Sequence, residues 1–257
     1  NAGRLDDAIR TGTEAVELLR ETVGEDHPRL GTALANLGSA QARAGDAKGA
    51  EASFLGALRN ATVVYGEDHR RTGLALNNLG VNYEMSGQLA EAERYHRQAG
   101  AVFTKALGAD HPTTAIVMSN LASVMIKEGK LDEAEQVLRG TLSTLEQRLG
   151  PDHPDVALPL GLLAEAMAGA ERLDEALPLL ERTLALRQPG RSPPEEVAAS
   201  QYALGDVLWR ANGDRSRAIA LVTQAYEGYR AIGEPRADER ERARAWLQER
   251  GALPEGS

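Results

Sequence analysis

The chain has 257 residues and a formal net charge of −9, with 38 Asp and Glu against 29 Lys and Arg. This acidic excess argues against nucleic acid as a partner, because affinity for phosphate backbones depends on clustered basic side chains. The chain has no cysteine for a disulfide or a thiolate zinc site, and no apolar run reaches the roughly 20 residues that span a bilayer. We therefore expect no membrane association and a cytoplasmic location.

A short motif repeats through the chain at a fixed step of 42 residues. It has the form Gly-x-Asp-His followed by Pro or Arg, and it occupies residues 24–28, 66–70, 108–112 and 150–154. A fixed period of this length is typical of a helical solenoid, in which one supersecondary unit is stacked many times. Aromatic residues make up only 4% of the chain, and Ala, Leu and Val supply most of the apolar content. The sequence therefore predicts an all-α fold.

The chain begins with a predicted half repeat, residues 1–23, whose helix over 3–22 matches the second helix of the later units. Its first helix is missing, and the chain opens with Asn1 rather than Met, so we interpret it as a fragment of a longer protein. Without that partner helix, we expect a partly uncovered apolar stripe that could support self-association: Leu5, Ala8, Ile9, Ala15, Leu18 and Leu19.

Five complete units follow the half repeat, at residues 24–65, 66–107, 108–149, 150–191 and 192–233. In the first unit Pro28 is suited to the first helical position, and Asp26 or His27 can cap the free backbone NH groups. Gly45 and its equivalents are suited to end the first helix in a left-handed conformation. The predicted helices are 28–44, 46–65, 70–86, 88–107, 112–128, 130–149, 154–170, 172–187, 194–211 and 214–232.

The later units depart from the pattern in two places. Glu171 stands where the turn glycine is expected, so we expect Gly169 or a longer turn to replace it. Residues 188–194 form a Pro- and Gly-rich breaker in place of the fifth motif.

The chain closes with a predicted capping helix, residues 235–250, followed by a tail, 251–257. The helical pattern over 236–250 places Ala243, Trp246 and Leu247 on one side, where they can cover the last repeat.

Small residues recur at two helix contacts in every unit. Gly or Ala follows Leu at positions 38, 80, 122, 164 and 205, and alanine occupies positions 8, 50, 92, 134, 176 and 218. In this pattern the chain resembles the tetratricopeptide repeats, in the 42-residue form of kinesin light chains and many bacterial proteins. HEAT and armadillo repeats have similar periods but lack this pairing. The resemblance implies a right-handed α-solenoid whose first helices line a concave groove for a peptide or partner domain.

The C-terminal residues resemble the tetratricopeptide tails of bacterial serine/threonine protein kinases of the myxobacterial type. The resemblance rests on residues 202–209, 213–218 and 245–247. It implies a kinase domain upstream of this chain. The chain itself has no Gly-rich ATP loop, His-Arg-Asp or Asp-Phe-Gly motif, so we expect no catalysis and no cofactor here.

An asparagine ladder marks the expected groove, with Asn36, Asn78 and Asn120 one repeat apart. An Asn amide can hold the NH and C=O groups of an extended peptide. Alternatively, each Asn bonds to the neighbouring repeat and orders the stack. The predicted groove residues are Asn36, Ser39, Arg43, Asn77, Asn78, Glu84, Ser119, Asn120, Ser123, Lys127 and Glu165. Arg43, Lys127 and Arg210 are too dispersed for a carboxylate clamp, so we expect a ligand with polar and apolar anchors.

The histidines fall into two groups. His27, His69, His111 and His153 recur once per unit at helix starts, too far apart to share a zinc ion, so we expect capping and no metal. His96 lies on the core face of a second helix, and we expect it to be satisfied or partly exposed. The sequence therefore predicts a protein-binding module, and the alternative is a structural or self-association spacer.

Overall fold

The computed structural model describes residues 2–188, 190 and 192–253. These residues form twelve α-helices and two short 3-10 helices, with no β-strand element among them, which confirms the predicted all-α class. Within these ranges no helix is both long enough and apolar enough to cross a bilayer. Pro189 and Arg191 of the breaker and residues 254–257 of the tail lie outside the described residues.

The chain divides into two compact units, Asn1–Gly129 and Lys130–Ser257. The first contains α1 (Ala2–Val23), α2 (Pro28–Arg43), α3 (Ala47–Tyr65), α4 (Arg70–Met85), α5 (Leu89–Leu107) and α6 (Pro112–Lys127). The second contains α7 (Leu131–Leu149), α8 (Ala157–Gly169), α9 (Leu173–Leu186), α10 (Pro194–Arg210), α11 (Arg215–Ile232) and α12 (Ala237–Glu249). These bounds match the prediction to within one residue except at the starts of α8 and α12, which the 3-10 helices Pro154–Val156 and Glu234–Arg236 precede.

The histidine of each motif caps the helix that follows it, as predicted. Nδ1 of His27 accepts a hydrogen bond from the backbone NH of Arg29 over 3.2 Å, and the three other motif histidines do the same two residues ahead. Nδ1 can accept only when the proton sits on Nε2, so the cap also sets the tautomer of each ring. The repeated histidines thus have a structural role at the helix starts.

The turns between paired helices show one confirmed prediction and one correction. Gly45 and Gly87 end their helices with φ of 82° and 72°, in the left-handed region predicted for them. Glu171 adopts φ 58° itself, so the expectation that Gly169 or a longer turn would replace the glycine is wrong. The backbone hydrogen bond from Arg172 to Met167 keeps the turn at its usual length. A non-glycine residue in this region costs roughly 1–2 kcal/mol, which the surrounding repeat must offset.

Close helix contacts explain the small residues of the repeat. Gly38, Gly80 and Gly205 are buried, and a Cβ atom on Gly80 would lie 2.6 Å from the His96 ring. The repeated alanine has no exposed surface in the five complete units, at positions 50, 92, 134, 176 and 218. Each of the three glycines therefore admits a large side chain from the paired helix, namely Phe54 at Gly38, His96 at Gly80 and Val222 at Gly205.

The first helix of the described residues is only partly covered. Val16 is buried against Leu30, Leu34 and Leu37 of α2. Leu18 remains 60% exposed, and Ala8 is also exposed. The other members of the predicted stripe are half-buried, namely Leu5, Ile9, Ala15 and Leu19.

At the other end, α12 covers the apolar surface of the last repeat. Trp246 is buried, with its ring edge against Trp209 at a centroid distance of 5.6 Å. Its indole NH donates to Oδ1 of Asp206 on α10 over 2.8 Å. The guanidinium of Arg250 lies 4.0 Å from the centre of the Trp246 ring. This arrangement joins α12 to α10 through both apolar and polar contacts.

Candidate functional site

The predicted groove residues of the compact unit Asn1–Gly129 lie on α2, α4 and α6, the first helices of three successive repeats. These helices are neighbours, because α4 contacts both α2 and α6. We call the surface that carries Asn36 of α2, Asn78 of α4 and Asn120 of α6 the first-helix face. Four of the predicted residues are exposed, namely Asn36, Ser39, Arg43 and Lys127. Five are half-buried, namely Asn77, Asn78, Glu84, Asn120 and Ser123.

The three ladder asparagines differ in their hydrogen bonding. Nδ2 of Asn120 donates to Oδ1 of Asn77 over 3.1 Å, which is the stacking role weighed above as the alternative. The amides of Asn36 and Asn78 make no side-chain hydrogen bond within the described part of the chain. Two members of the ladder therefore retain their full bonding capacity for a ligand, and one links α6 to α4.

Glu84 is the centre of a polar network at the C-terminal end of α4. Its Oε1 accepts hydrogen bonds from Oγ of Ser123 and from Nζ of Lys127, each over 2.8 Å. The side chain of Glu84 is only 14% exposed. These bonds tie α4 to α6, so all three residues serve the stack in the structure described.

Two predicted residues are not part of the first-helix face. Ser119 is fully buried, and its hydroxyl donates to the carbonyl of Ala115 over 3.1 Å. It lies about 100° around the helix from Asn120, which turns it toward the core. Its inclusion among the groove residues was therefore wrong. Glu165 is exposed on α8 and belongs to the second unit.

A cavity of about 320 Å³ opens between α2, α4 and the C-terminal part of α3. Both unbonded ladder amides line it, Asn36 from α2 and Asn78 from α4. Leu74, 43% exposed, supplies apolar surface beside them. The full lining is Pro28, Gly31, Thr32, Ala35, Asn36, Ala57, Asn60, Ala61, Tyr65, Arg70, Arg71, Leu74, Ala75 and Asn78.

Three polar residues of this cavity, Asn60, Arg70 and Arg71, were not predicted from the sequence. Two signals pointed to them. Arg70 replaces the proline that ends the other three motifs, and position 60 is Val, Thr, Leu or Gly in the other complete units. Both departures from the repeat place polar groups at the same cavity.

His96 lies on α5 in the core of the compact unit Asn1–Gly129. It has no exposed surface, and neither ring nitrogen has a hydrogen-bond partner in the described part of the chain. The expectation that it would be satisfied or partly exposed is therefore wrong. Burial lowers the pKa of His96 from 6.5 to about 4, against the opposing effect of Glu84, whose Oε2 lies 4.0 Å from Nε2.

Comparison with known proteins identifies the family. The family model described as the MalT-like TPR region matches residues 1–252. The chain belongs to this tetratricopeptide repeat family. No curated protein sequence matches the chain.

Solved structures show the same fold. BtubC (BKLC) from P. vanneervenii has a TM-score of 0.73 at 23% identity, covering 90% of this chain and 93% of its own. A kinesin light chain-like protein of Podosopora anserina with nearly identical TPR-like repeats has a TM-score of 0.62 at 23% identity, covering 81% and 99%. A chain of the APC/C hetero-tetramer Cut9-Hcn1 has a TM-score of 0.65 at 17% identity, covering 94% and 40%.

The family fixes the broad class of function. Tetratricopeptide repeats commonly mediate protein–protein interaction and are generally non-catalytic scaffolds. Among the described residues there is also no cluster of His, Asp or Glu suited to a metal ion.

Proposed function

We propose that the first-helix face of the first unit binds an extended peptide segment of a partner protein. The observation that carries the proposal is the pair of unbonded amides, Asn36 and Asn78, which line one cavity from neighbouring helices. They occupy the same position in successive repeats, 42 residues apart. A peptide laid across α2 and α4 would meet the same group twice.

The chemistry of these amides suits backbone recognition. Each offers two NH donors and a carbonyl acceptor, which can pair with the C=O and NH groups of an extended chain whatever its side chains. Leu74 and Met85 on α4 are 43% and 66% exposed, so apolar anchors lie along the same helix. The first-helix face therefore offers polar groups for a peptide backbone and apolar side chains for contact with peptide side chains. This agrees with the expected ligand, which has both polar and apolar anchors.

Replacing Asn36 and Asn78 together by Ala should weaken peptide binding about 100-fold, because each lost pair of hydrogen bonds contributes about 1.4 kcal/mol. The ligand would be selected from a phage-displayed library of extended peptides, and its affinity measured by fluorescence polarisation. Gln98→Ala, an exposed amide on α5, is the matched control. Unchanged circular dichroism would show an intact fold, and binding by the double variant within twofold of the wild type would contradict the proposal.

We also propose that the array is a non-catalytic regulatory or scaffold region of a larger bacterial protein. The support for a serine/threonine kinase as that protein is the resemblance of residues 202–209, 213–218 and 245–247 to such tails. Recovering the reading frame upstream of Asn1 tests this directly. A kinase domain there would support a role in substrate recruitment or autoregulation, and a frame of further 42-residue units would contradict the kinase assignment.

A second candidate function is self-association through α1. The observation that favours it is the exposure of Leu18, 60%, and Val23, 43%, on a helix that packs against α2 through Val16. If α1 joins two copies, Leu18→Glu should convert a dimer into a monomer in sedimentation equilibrium. A wild-type protein that is already monomeric at high concentration would exclude this function.

A further inference from the structure

The cavity between α2, α3 and α4 lies where the next two repeats place a large apolar side chain. Ala61 lines it from α3, and the same position holds Phe103 and Leu145 in the two repeats that follow. Phe103 is 1% exposed and Leu145 has no exposed surface, so both are core residues of their repeats. The side chain that fills the core in those repeats is therefore only a methyl group at Ala61.

The helices on either side of Ala61 show the same correspondence. Ala75 of α4 stands 42 residues before Val117 of α6, and Val117 belongs to the same core cluster as Phe103. The Phe103 ring lies so close to α4 that a Cβ atom on Gly73 would be 2.9 Å from its Cε2 atom. The equivalent of Gly73 is Gly31 of α2, which lines the cavity. The cavity therefore corresponds to the place that a phenylalanine ring occupies one repeat later.

The cavity can be reached from the first-helix face. Its floor is formed by Ala57 and Ala61 of α3 and Ala75 of α4, which are buried. Its rim includes Asn36 of α2 and Leu74 of α4, which are exposed. Its volume of about 320 Å³ is large enough for one bulky side chain, which would gain both burial and contact with the alanine floor.

The rim also carries groups that favour an aromatic ring. Tyr65 lines the cavity, and its ring stacks on His69 at a centroid distance of 4.7 Å. The guanidinium of Arg71, another lining residue, lies 4.9 Å from the centre of the Tyr65 ring. Aromatic rings and guanidinium groups pack favourably against a further ring. A ring at this place therefore has partners that an aliphatic side chain of similar size does not use.

We propose that the cavity binds a phenylalanine side chain of the partner peptide, which takes the place that Phe103 has in the next repeat. The peptide backbone lies across α2 and α4, where the amides of Asn36 and Asn78 hold it, and the phenyl ring enters between these helices. The inference rests on the proposed peptide-binding function and names the anchor residue that this surface selects.

The test uses the intact chain and three peptide libraries whose central residue is Phe, Leu or Ala, with the same random flanks of small and polar residues. We expect the Phe library to bind about tenfold more tightly than the Ala library in fluorescence polarisation, because it buries a large apolar group. The Leu library should lie between them. Equal binding of the Phe and Ala libraries would overturn the proposal, and a Leu library that binds as tightly as the Phe library would overturn the aromatic assignment.

The following repeats supply the matched variants. Ala61→Phe, as in Phe103, and Ala61→Leu, as in Leu145, fill the cavity from within and should remove the preference for Phe over Ala. Ala52→Phe, on an exposed position of the same helix, is the control and should leave that preference unchanged. A folded Ala61 variant that keeps the full preference would overturn the proposal.

Urea denaturation provides a second measurement, which does not depend on any peptide. At least one of the two Ala61 variants should have a urea midpoint at or above that of the wild type, since it buries apolar atoms in existing space. Midpoints clearly below the wild type for both variants would show that no large side chain fits there, and would also overturn the proposal.

Two outcomes separate this inference from the proposed function. If all three libraries bind equally and the double substitution of Asn36 and Asn78 by Ala abolishes that binding, the proposed function stands and this inference fails. If none of the libraries binds the wild type, both fail.

Discussion

Gly205→Ala should lower the free energy of unfolding of the compact unit Lys130–Ser257 by about 2 kcal/mol, while the same substitution at Gly140 should raise it by about 1 kcal/mol. A Cβ atom on Gly205 would lie 2.6 Å from Cγ2 of Val222 and 2.9 Å from the carbonyl oxygen of Ala218. The carbonyl belongs to the backbone of α11, so it cannot rotate away, and α10 and α11 must separate.

Gly140 is the control because it lies exposed within α7 and nothing approaches its Cβ position within 4 Å. There, alanine gains only its higher helix propensity. Urea denaturation followed by circular dichroism would measure both variants, and amide hydrogen exchange would locate the loss to α10 and α11. Two changes of the same sign would contradict the contacts described for Gly205.

The fold could be predicted from the sequence because its signals are local. The His-Pro pair at residues 27–28 marks a helix start, Gly45 ends that helix, and Ala50 marks the contact within the pair. Each signal acts over a few residues and recurs at one period, so an error in one unit is corrected by the others. Helix bounds therefore agree to within one residue except at the starts of α8 and α12, each of which follows a short 3-10 helix.

The turns show where local signals fail. Glu171 takes the left-handed conformation without being glycine, and in the next unit Asn212 takes it at φ 53°, one residue ahead of Gly213. Gly213 occupies the place of Asp46 and Gln88 in the earlier turns, and its backbone NH makes the same hydrogen bond five residues back. Packing between the two helices of the repeat therefore determines the backbone conformation of the turn, and Glu171 and Asn212 adopt it although they are not glycine.

The site was less predictable than the fold because it depends on contacts between repeats. Sequence position alone gave Asn36, Asn78 and Asn120 the same role. Among the described residues, Asn120 bonds to Asn77, whereas the amides of Asn36 and Asn78 have no such partner. Ser119 shares its helical position with Asn77 but lies in the core. What the sequence does reveal is departure from the repeat, since Arg70 and Asn60 differ from their equivalents and both line the cavity.

His96→Leu should raise the free energy of unfolding of the compact unit Asn1–Gly129 by about 1 kcal/mol at pH 7. The substitution removes two buried nitrogens that have no hydrogen-bond partner among the described residues. The fold already accepts leucine at this position, as Leu138 and Leu180 in later units. The gain over the wild type should grow to about 3 kcal/mol at pH 5, because the pKa of His96 is lowered to about 4 in the folded protein.

The sign of this pH effect follows from where the proton binds. Above pH 6.5 neither state holds it, so His96 contributes little pH dependence. As the pH falls from 6.5 toward 4, the unfolded chain takes up a proton that the folded core excludes, and the wild type loses stability over that range. Glu84, whose Oε2 lies 4.0 Å from Nε2 of the ring, is unchanged in the variant.

Phe54→Leu tests whether this reasoning is specific to the titrating ring. It changes the equivalent side chain of the preceding unit, which packs on Gly38 as His96 packs on Gly80, but it removes no ionisable group. Its effect on the urea midpoint should therefore be the same at pH 7 and pH 5. The stability gain from His96→Leu should instead be larger at pH 5 than at pH 7. A gain for His96→Leu that stays constant between these two pH values would show that His96 is protonated alike in the folded and unfolded states. Solvent or a hydrogen-bond partner would then have access to the ring in the folded protein.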